Sequence, residues 1–378
     1  MGIDAKRRVA VIGGGAGGLC AAIAAAEAGA AVIIYERQNR VGKKLLKTGN
    51  GRCNMSNENL SPADYNHPDF VSAQLAACNT AALRAFFRSL GLWSVADGEG
   101  RVYPRSDTAA SVLDVLRLRC GALGVIEDCG RELISLKKRG DRWRLRFREG
   151  EGAECDAVVV AAGGGVDLLS PLGHSVIPFS PVLCPLRTDA APIRGLSGLR
   201  VKGVVRLFRG TKLLCEEAGE VLFRDGGVSG IVILNMSRFA APGCTLSIDL
   251  MPDMPETELA AALARRELPR EELFTGIFHK RIGEALLRAV PDGDAKKLSA
   301  LIKDYRLCVT GVADAAAAQV TRGGASVEEF DSMTLQSRLY EGLYAVGETL
   351  DIDGRCGGYN LHWAFASGLA AGRSAAHG

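Results

Sequence analysis

The stretch that decides the fold is V-A-V-I-G-G-G-A-G-G, residues 9–18. The apolar run Val9–Ile12 predicts a short, buried parallel strand. It leads directly into Gly13, Gly15 and Gly18, which satisfy the pattern G-x-G-x-x-G, and a run of small residues then predicts a helix. A strand, a glycine turn and a helix in this order are typical of a dinucleotide-binding unit.

Each part of this unit has a physical reason. Gly13 allows the tight turn, Gly15 lets a pyrophosphate approach the backbone, and Gly18 lets the helix pack closely on the strand. The helix N-terminus offers N–H groups to the phosphates. The next apolar run, 31–35, ends at Glu36, whose carboxylate can accept hydrogen bonds from a ribose diol. The same carboxylate would repel a 2′-phosphate, which disfavours NADP at this site.

Composition indicates a globular protein of two or three domains. The chain has 378 residues, 47% of them hydrophobic, and a net charge of +3. This balance gives no electrostatic reason to expect nucleic acid or a membrane surface as a partner. We expect a cytoplasmic protein, since no signal sequence or membrane span is evident. Eleven cysteines are present, but no two form C-x-x-C, so neither a metal site nor a dithiol motif is predicted.

The segment 37–57 lacks periodicity and is predicted to be a long, ordered, functional loop. Its cations either face a diphosphate or form a solvated basic surface: Arg37, Arg40, Lys43, Lys44 and Arg52. Beyond it, apolar spacing predicts one helix over Asp69–Leu90 and another over Thr108–Leu123. A buried run, Ala157–Ala161, then enters a second glycine turn that ends at Gly165.

A cluster of prolines between 171 and 192 indicates a crossover into an inserted domain. Its first half has strand character, including separate strands at Lys212–Cys215 and Glu220–Phe223, and its second half is helical from Glu256 to about Lys303. The run Ala315–Ala318 is expected to be a helix or a strand edge.

The C-terminal segment resembles the first. The strand 342–346 ends at Gly347-Glu348, and a glycine-rich loop precedes a helix of small residues, His362–Ala376. This order recurs where flavoproteins hold the isoalloxazine end, with the acid on a ribitol hydroxyl and the helix N-terminus at the N1/C2=O edge. The two glycine segments lie at opposite ends of the chain, which implies a split first domain.

Four blocks suggest a family: G-K-K-L-L-K-T-G-N-G-R-C-N-M-S-N (42–57), G-E-V-L-F-R-D-G-G-V-S-G (219–230), A-Q-V-T-R-G-G-A (318–325) and the segment 342–372. They resemble the signatures of the YhiN/BaiN-type bacterial flavoproteins, which are labelled aminoacetone-oxidase-family or similar to 3-dehydro-bile-acid Δ4,6-reductase. The resemblance spans nearly the whole chain. Arg224-Asp225 stands where many members have Thr-His, and Ile231 where they have Pro. If that histidine takes part in substrate chemistry in those members, this chain differs from them in substrate or activity.

The resemblance implies an α/β fold, with a glutathione-reductase-type Rossmann FAD domain split by an inserted β-rich domain that carries a helical subdomain. The expected bounds are 1–185 and 326–378 for the FAD domain, 186–252 with 305–325 for the β-rich domain, and 253–304 for the helical subdomain. It also implies these FAD-binding residues: Gly13, Gly15, Ala16, Gly17, Gly18, Glu36, Arg37, Lys43, Lys44, Thr48, Gly49, Arg52, Cys53, Asn54, Ala162, Gly163, Gly347, Glu348, Gly358, Tyr359, Asn360 and Leu361.

The sequence identifies no catalytic residue. Tyr359 is either an acid or lends only its backbone N–H to the flavin, and His362 is either a proton donor or a capped or solvated side chain. Cys53 flanks the predicted site, and sequence does not show whether it meets Cys356. Asp225, with Ser229, either borders a substrate pocket or caps a turn.

We therefore expect an FAD-dependent oxidoreductase with tightly bound, non-covalent FAD. One complete dinucleotide fingerprint leaves NAD(P)H as a transient electron donor. Reduction of a C=C bond conjugated with a carbonyl of a small-molecule substrate is the expected reaction. The alternatives are an amine oxidase that uses O2, a non-catalytic flavin-binding redox sensor or RNA-associated protein, and an NAD-bound dehydrogenase. The sequence does not give the oligomeric state.

Overall fold

The computed structural model describes residues 6–163, 166–312, 318 and 320–377. The chain forms two compact units, residues 1–179 with 321–378 and residues 180–320. The sequence-based boundaries, 185/186 and 325/326, lie a short way further along the chain in each case. Gly164 and Gly165 of the second glycine turn and Ala315–Ala317 lie outside the described residues.

A five-stranded parallel sheet forms the centre of the first unit, in the order β19-β10-β1-β2-β6. Val9–Ile12 pairs on one side with 157–160 and on the other with 32–35, so the predicted unit of strand, helix and strand is confirmed. The strands are β1 (Arg8–Ile12), β2 (Ala31–Glu36), β6 (Ile126–Cys129), β10 (Ala157–Val160) and β19 (Leu343–Ala345).

Five α-helices are found among the described residues of this unit. They are α1 (Ala16–Glu27), α2 (Pro68–Ala77), α3 (Thr80–Ser89), α4 (Ala109–Ala122) and α10 (Tyr359–His377). The small residues of α1 and α10 let the two backbones touch. An ideal Cβ at Gly368 would lie 2.2 Å from the carbonyl oxygen of Gly17, and one at Gly372 would lie 2.2 Å from that of Ala21. The C-terminal helix is thereby fixed against the first helix.

The prediction of a single helix over Asp69–Leu90 is wrong, because the chain forms two helices there. Cys78 leaves the helical region, and Asn79 starts α3 by accepting a hydrogen bond from Ala82 N–H at its side-chain oxygen. The apolar spacing continues across this break, and the capping asparagine is the signal that it ends one helix and begins another.

The described residues also form smaller sheets. One sheet has the order β3-β5-β4 and another the order β7-β8-β9. A third consists of β11 and β18, the strands that contain the boundaries at 179/180 and 320/321. Their bounds are β3 (Ser56–Asn57), β4 (Ser94–Ala96), β5 (Arg101–Pro104), β7 (Leu133–Arg139), β8 (Arg142–Phe147), β9 (Ala153–Cys155), β11 (Val176–Val182) and β18 (Val320–Ala325).

The second unit contains a closed antiparallel barrel in the order β12-β15-β14-β13-β16-β17. Its strands are β12 (Leu186–Thr188), β13 (Arg200–Arg209), β14 (Lys212–Arg224), β15 (Gly227–Ser229), β16 (Thr245–Asp249) and β17 (Tyr305–Val312). The two strands predicted at Lys212–Cys215 and Glu220–Phe223 are therefore one strand. The polar residues between them lie on a strand that pairs with β13 along its length.

Helices accompany the barrel in one core. They are α5 (Ala190–Ile193), α6 (Ile231–Met236), α7 (Glu256–Ala264), α8 (Lys280–Ala289) and α9 (Ala295–Lys303). Buried Leu263, Leu286 and Leu298 of the helices belong to the same hydrophobic cluster as Leu207 and Leu246 of the barrel. The described residues contain no helix long and apolar enough to span a membrane.

Candidate functional site

Two of the three fingerprint glycines are required by the packing of the protein itself. An ideal Cβ at Gly18 would lie 1.9 Å from the carbonyl oxygen of Gly13, and one at Gly13 would lie 2.6 Å from that of Ala161. Gly13 also has a φ of +103°, a conformation that L side chains rarely adopt. A larger residue at either position would therefore displace backbone.

Gly15 is different, because no heavy atom beyond its two chain neighbours lies within 4 Å of the Cβ that another residue would place there. Its φ of −83° and ψ of −167° are open to any residue. Gly15 caps α1 without a side-chain hydrogen bond, and Ala16 and Gly17 begin the helix with no acid in its first turn. No described residue beyond its chain neighbours requires glycine at this position. The first N–H groups of an α-helix have no partner within the helix and are available to a ligand.

The carboxylate of Glu36 binds the same turn. Its Oε2 accepts a hydrogen bond from Gly14 N–H and its Oε1 from Gln38 N–H, each at 2.8 Å. Each carboxylate oxygen can accept more than one hydrogen bond, so ribose hydroxyls remain possible donors. Glu36 is thus placed by β2 at the glycine turn, and Arg37 beside it is exposed.

The cations of the loop have different surroundings. The side chain of Arg52 donates to Asp107 at 2.6 Å and stacks over the ring of Tyr103 at 4.3 Å, while Lys43 donates to Gln38 at 3.1 Å. Lys44 forms an ion pair with Glu348. Glu348 also lies near Gly163, whose ideal Cβ would be 3.8 Å from Oε2 of that carboxylate.

The segment Thr48–Asn54 turns sharply. Gly49, Asn50, Gly51 and Cys53 all have φ between +55° and +86°, and Thr48 Oγ1 donates to the carbonyl of Leu45 at 2.7 Å. The segment ends at Asn54, whose Oδ1 is buried and has no hydrogen-bond partner among the described residues. An unpaired buried amide oxygen is costly, and a ligand that donates a hydrogen bond would satisfy it.

Cys53 itself is fully buried, and burial raises the pKa of its thiol to about 12. It is therefore a thiol at neutral pH and a poor nucleophile, which argues against a catalytic role for Cys53. No disulfide bond joins Cys53 and Cys356 in the described chain.

The glycines at 357 and 358 have φ of +122° and +103°, and an ideal Cβ at Gly358 would lie 2.3 Å from the carbonyl oxygen of Ser56. The C-terminal loop is thus pressed against the end of the basic loop. Earlier in the C-terminal loop, the carbonyl of Gly347 (φ +58°) accepts a hydrogen bond from the ring N–H of Trp363 at 3.2 Å, and the N–H of Gly347 donates to the Ser367 hydroxyl.

The first residues of α10 have unequal roles. Tyr359 is buried, stacks edge-to-face with Tyr65 at 6.2 Å and accepts the Tyr65 hydroxyl at its carbonyl. The side chain of Asn360 is bound to the backbone of the loop, since it accepts from Gly354 N–H and donates to Gly354 O. Leu361 packs against the core. Asn360 and Leu361 can therefore offer backbone N–H groups to a ligand.

His362 is a structural residue. It is fully buried, and burial lowers its pKa to about 4. The Nε2–H donates to the carbonyl of Cys78 and Nδ1 accepts from the Ser56 hydroxyl, each at 2.8 Å. Both ring nitrogens are engaged by the protein, which removes His362 as a proton donor to a substrate.

Sequence reasoning missed a group of charged residues on the C-terminal loop. Fully buried Asp353 accepts from Arg322 Nε at 2.8 Å, and Asp351 accepts from His67 at 3.0 Å and from Gly323 N–H at 3.0 Å. Although burial alone would raise it, these hydrogen bonds hold the pKa of Asp351 below its ordinary value. The available signal was the block 318–325, which supplies Arg322 and Gly323 as partners for the loop.

A second histidine cluster has the geometry of a catalytic triad but not its chemistry. His174 contacts Glu329 through Nδ1 at 2.9 Å and Ser337 through Nε2 at 3.1 Å. The hydroxyl of Ser337 also accepts from the N–H groups of Leu339 and Tyr340 at 3.0 Å each. A hydroxyl has two acceptor lone pairs, so none is left to attack a carbonyl. The cluster fixes this loop.

In the second unit, Asp225 lies in the two-residue turn between β14 and β15, beside Arg224, and both are exposed. Asp-Gly is a favoured sequence for such a turn, which supports the turn interpretation. Ser229 pairs with Leu222 in the barrel. No group of His, Cys, Asp or Glu that could hold a metal ion is found among the residues the structure describes.

Comparison with known proteins identifies the family. Residues 7–374 match the HI0933-like protein Rossmann domain. The chain belongs to this family. It is 34% identical to a 3-dehydro-bile acid delta(4,6)-reductase of Clostridium scindens, covering 92% of this chain and 93% of that protein. The HI0933-like chain is thus an FAD-dependent oxidoreductase with a split Rossmann domain, as the sequence resemblance implied.

Other relatives carry a different name. A ribosomal RNA dihydrouridine synthase of Escherichia coli is 28% identical over 91% of each chain. Its namesake in Haemophilus influenzae is 25% identical, covering 90% of this chain and 92% of that protein.

Proposed function

We propose that this protein binds FAD at the glycine turn and uses it to reduce a C=C bond conjugated with a carbonyl, with NAD(P)H as the electron donor. Gly15 carries the proposal. It stands at the N-terminus of α1 beside open space, and no contact within the protein requires it. The Oδ1 of Asn54 is buried and has no hydrogen-bond partner among the described residues, which also supports a bound ligand that supplies the donor.

The residues around the turn fit FAD by their chemistry. The N–H groups of Ala16 and Gly17 would face the diphosphate, and Glu36 would accept hydrogen bonds from the ribose. Glu348 would accept from the ribitol, and Asn360 and Leu361 would offer backbone N–H groups at the start of α10. FAD, when bound, supplies the hydride chemistry, and the protein supplies position and electrostatics.

We propose that FAD is held tightly and without a covalent bond. A covalent link would need a nucleophilic side chain at the site. Two such residues in the site-forming segments are Cys53, whose thiol has a raised pKa, and His362, whose ring nitrogens both have protein partners.

The names of the relatives support the reaction. A delta(4,6)-reductase acting on a 3-dehydro bile acid reduces ring C=C bonds conjugated with a ketone. Dihydrouridine is uridine in which the C=C bond conjugated with a ring carbonyl is reduced. The two substrates differ, but the reduced bond is of one type, and this shared chemistry is the reason to propose it here.

We propose a small molecule as the acceptor and the cytoplasm as the location. The greater identity to the bile acid reductase and the small net charge of +3 favour a small molecule over RNA. Since Glu36 disfavours a 2′-phosphate and one fingerprint is present, NAD(P)H would bind transiently at another place on the protein.

The test is an anaerobic titration of the FAD-loaded protein with NADH and then NADPH. We expect one of them to bleach the flavin absorbance, and reoxidation by a cyclic enone but not by saturated ketones. Uridine-containing RNA is tested in parallel as an acceptor. A flavin that neither nucleotide reduces, but that amines reduce and O2 reoxidises, would establish an amine oxidase instead. A flavin that none of these reduces would favour a redox sensor.

A further inference from the structure

The segment Val41–Lys44 crosses directly over the glycine turn. An ideal Cβ at Gly14 would lie 2.4 Å from the side chain of Val41, and Gly42 N–H donates to the carbonyl of Gly14 at 2.8 Å. Two residues further on, the ammonium of Lys44 reaches Glu348, at the end of β19. The Lys44 side chain therefore extends from the β1–α1 turn to the end of a strand two places away in the sheet.

The two partners are unequally exposed. The Lys44 side chain is 62% exposed, whereas that of Glu348 is 16% exposed. A mobile, hydrated ammonium can change partners at little expense, since an exposed ion pair contributes only a few tenths of a kcal/mol to about 1 kcal/mol. A partly buried carboxylate that loses its cation needs other hydrogen-bond donors.

We propose that Lys44 exchanges Glu348 for a phosphate oxygen when FAD binds. The segment that carries Lys44 passes over Gly14, two residues before α1 begins, where the N–H groups of Ala16 and Gly17 would attract the same diphosphate. The carboxylate that is released then accepts hydrogen bonds from ribitol hydroxyls. FAD is recognised as one molecule because it carries both the anion that removes Lys44 and the hydroxyls that replace it. This inference rests on the proposed FAD site.

Fragments of FAD separate the two halves of the exchange. ADP carries the diphosphate but no ribitol, so it removes Lys44 and leaves Glu348 without a donor. Riboflavin carries the ribitol but no phosphate, so it must compete with Lys44 for Glu348. The pair therefore opposes the binding of each fragment alone.

The experiment measures the dissociation constants of ADP, riboflavin and FAD by isothermal titration calorimetry, with wild-type protein freed of flavin and the variants K44M, E348Q and K44M/E348Q. K44M should weaken ADP binding about tenfold, the effect of one charge-assisted hydrogen bond. E348Q should strengthen ADP binding about threefold, because Lys44 no longer has a competing partner. E348Q should weaken riboflavin binding. The matched control is K47M, which removes an exposed lysine of the same loop and should change none of the constants by more than about twofold.

The double variant decides the mechanism. Under partner exchange, the gain in ADP affinity from E348Q disappears when Lys44 is also replaced. A gain of the same size in the K44M background would mean that the carboxylate acts only through its long-range charge, and would overturn the exchange. Weaker ADP binding by E348Q would overturn it too, because the pair would then remain intact around the ligand. Wild-type protein that does not bind FAD would overturn both this inference and the proposed function, whereas FAD binding without the predicted coupling would overturn the exchange alone.

Discussion

Replacing Gly15 with alanine separates the needs of a ligand from those of the fold. The new methyl group would meet no heavy atom beyond its chain neighbours within 4 Å, and the backbone conformation is open to alanine. Alanine is a poorer N-cap than glycine by up to about 1 kcal/mol, and it restricts the unfolded chain, which stabilises by about 0.4–1 kcal/mol. The two effects nearly cancel. We expect the free energy of unfolding without FAD to change by less than about 1 kcal/mol.

The affinity for FAD should change far more. The methyl group would occupy the space where the diphosphate approaches the backbone, and overpacking of a close contact costs about 2 kcal/mol. This corresponds to about a 30-fold rise in the dissociation constant. The assay is titration of the FAD-free protein, followed by flavin fluorescence, with chemical denaturation of the same preparation as the measure of stability.

Two control variants make the result specific. Gly18→Ala should lower the free energy of unfolding by about 3 kcal/mol or more, because its Cβ would lie 1.9 Å from the carbonyl oxygen of Gly13. Gly121→Ala, in the last turn of α4, also meets open space and should alter neither FAD binding nor, by more than about 1 kcal/mol, stability. Wild-type FAD affinity in the Gly15→Ala protein would refute the assignment of the diphosphate to this turn.

Three further predictions concern other residues. Glu36→Ala should weaken FAD binding and also lower the free energy of unfolding by about 1 kcal/mol, because the carboxylate accepts a hydrogen bond from the N–H of Gly14. Titration with FAD and denaturation curves measure the two effects. Unchanged FAD affinity would contradict the prediction. Since the folded pKa of His362 is about 4, below its ordinary 6.5, the unfolded chain binds the proton more readily, so stability is full above pH 6.5 and falls by up to about 3 kcal/mol towards pH 4. His362→Gln should reduce this loss in denaturation curves across that range, and an unchanged pH dependence would show that other groups cause it. Asp353→Asn should destabilise by about 3 kcal/mol, because it removes the buried negative charge that pairs with the Arg322 cation. A loss below about 1 kcal/mol would mean that this charge pair contributes little to stability.

The fold could be predicted wherever the signal is local. The strand at Val9–Ile12, its glycine turn and the following helix need only neighbouring residues, and all are present. The prediction of a single helix over Asp69–Leu90 is wrong because the apolar spacing continues across the break between α2 and α3 and so does not reveal it. In the barrel, β14 continues through polar residues because pairing with a distant strand holds them there.

The site was less predictable, since its contacts join distant parts of the chain. The ion pair of Lys44 with Glu348 connects residues 304 positions apart, and the contact of Ser56 with His362 connects residues 306 positions apart. Sequence placed His362 on the first turn of a helix, where a histidine is usually solvated, and could not show that the chain closes over it. The role of Gly15 was predicted from the motif, but only the structure shows that nothing else requires it.

FAD binding at the glycine turn is tested by the visible spectrum of the purified protein before and after addition of FAD and gel filtration. We expect a flavin band at roughly 450 nm that stays with the protein. The Gly15→Val variant should lose this band, because its side chain would block the turn while the free energy of unfolding stays close to that of the wild type. A wild-type protein that shows no band, even after incubation with FAD, would contradict the account.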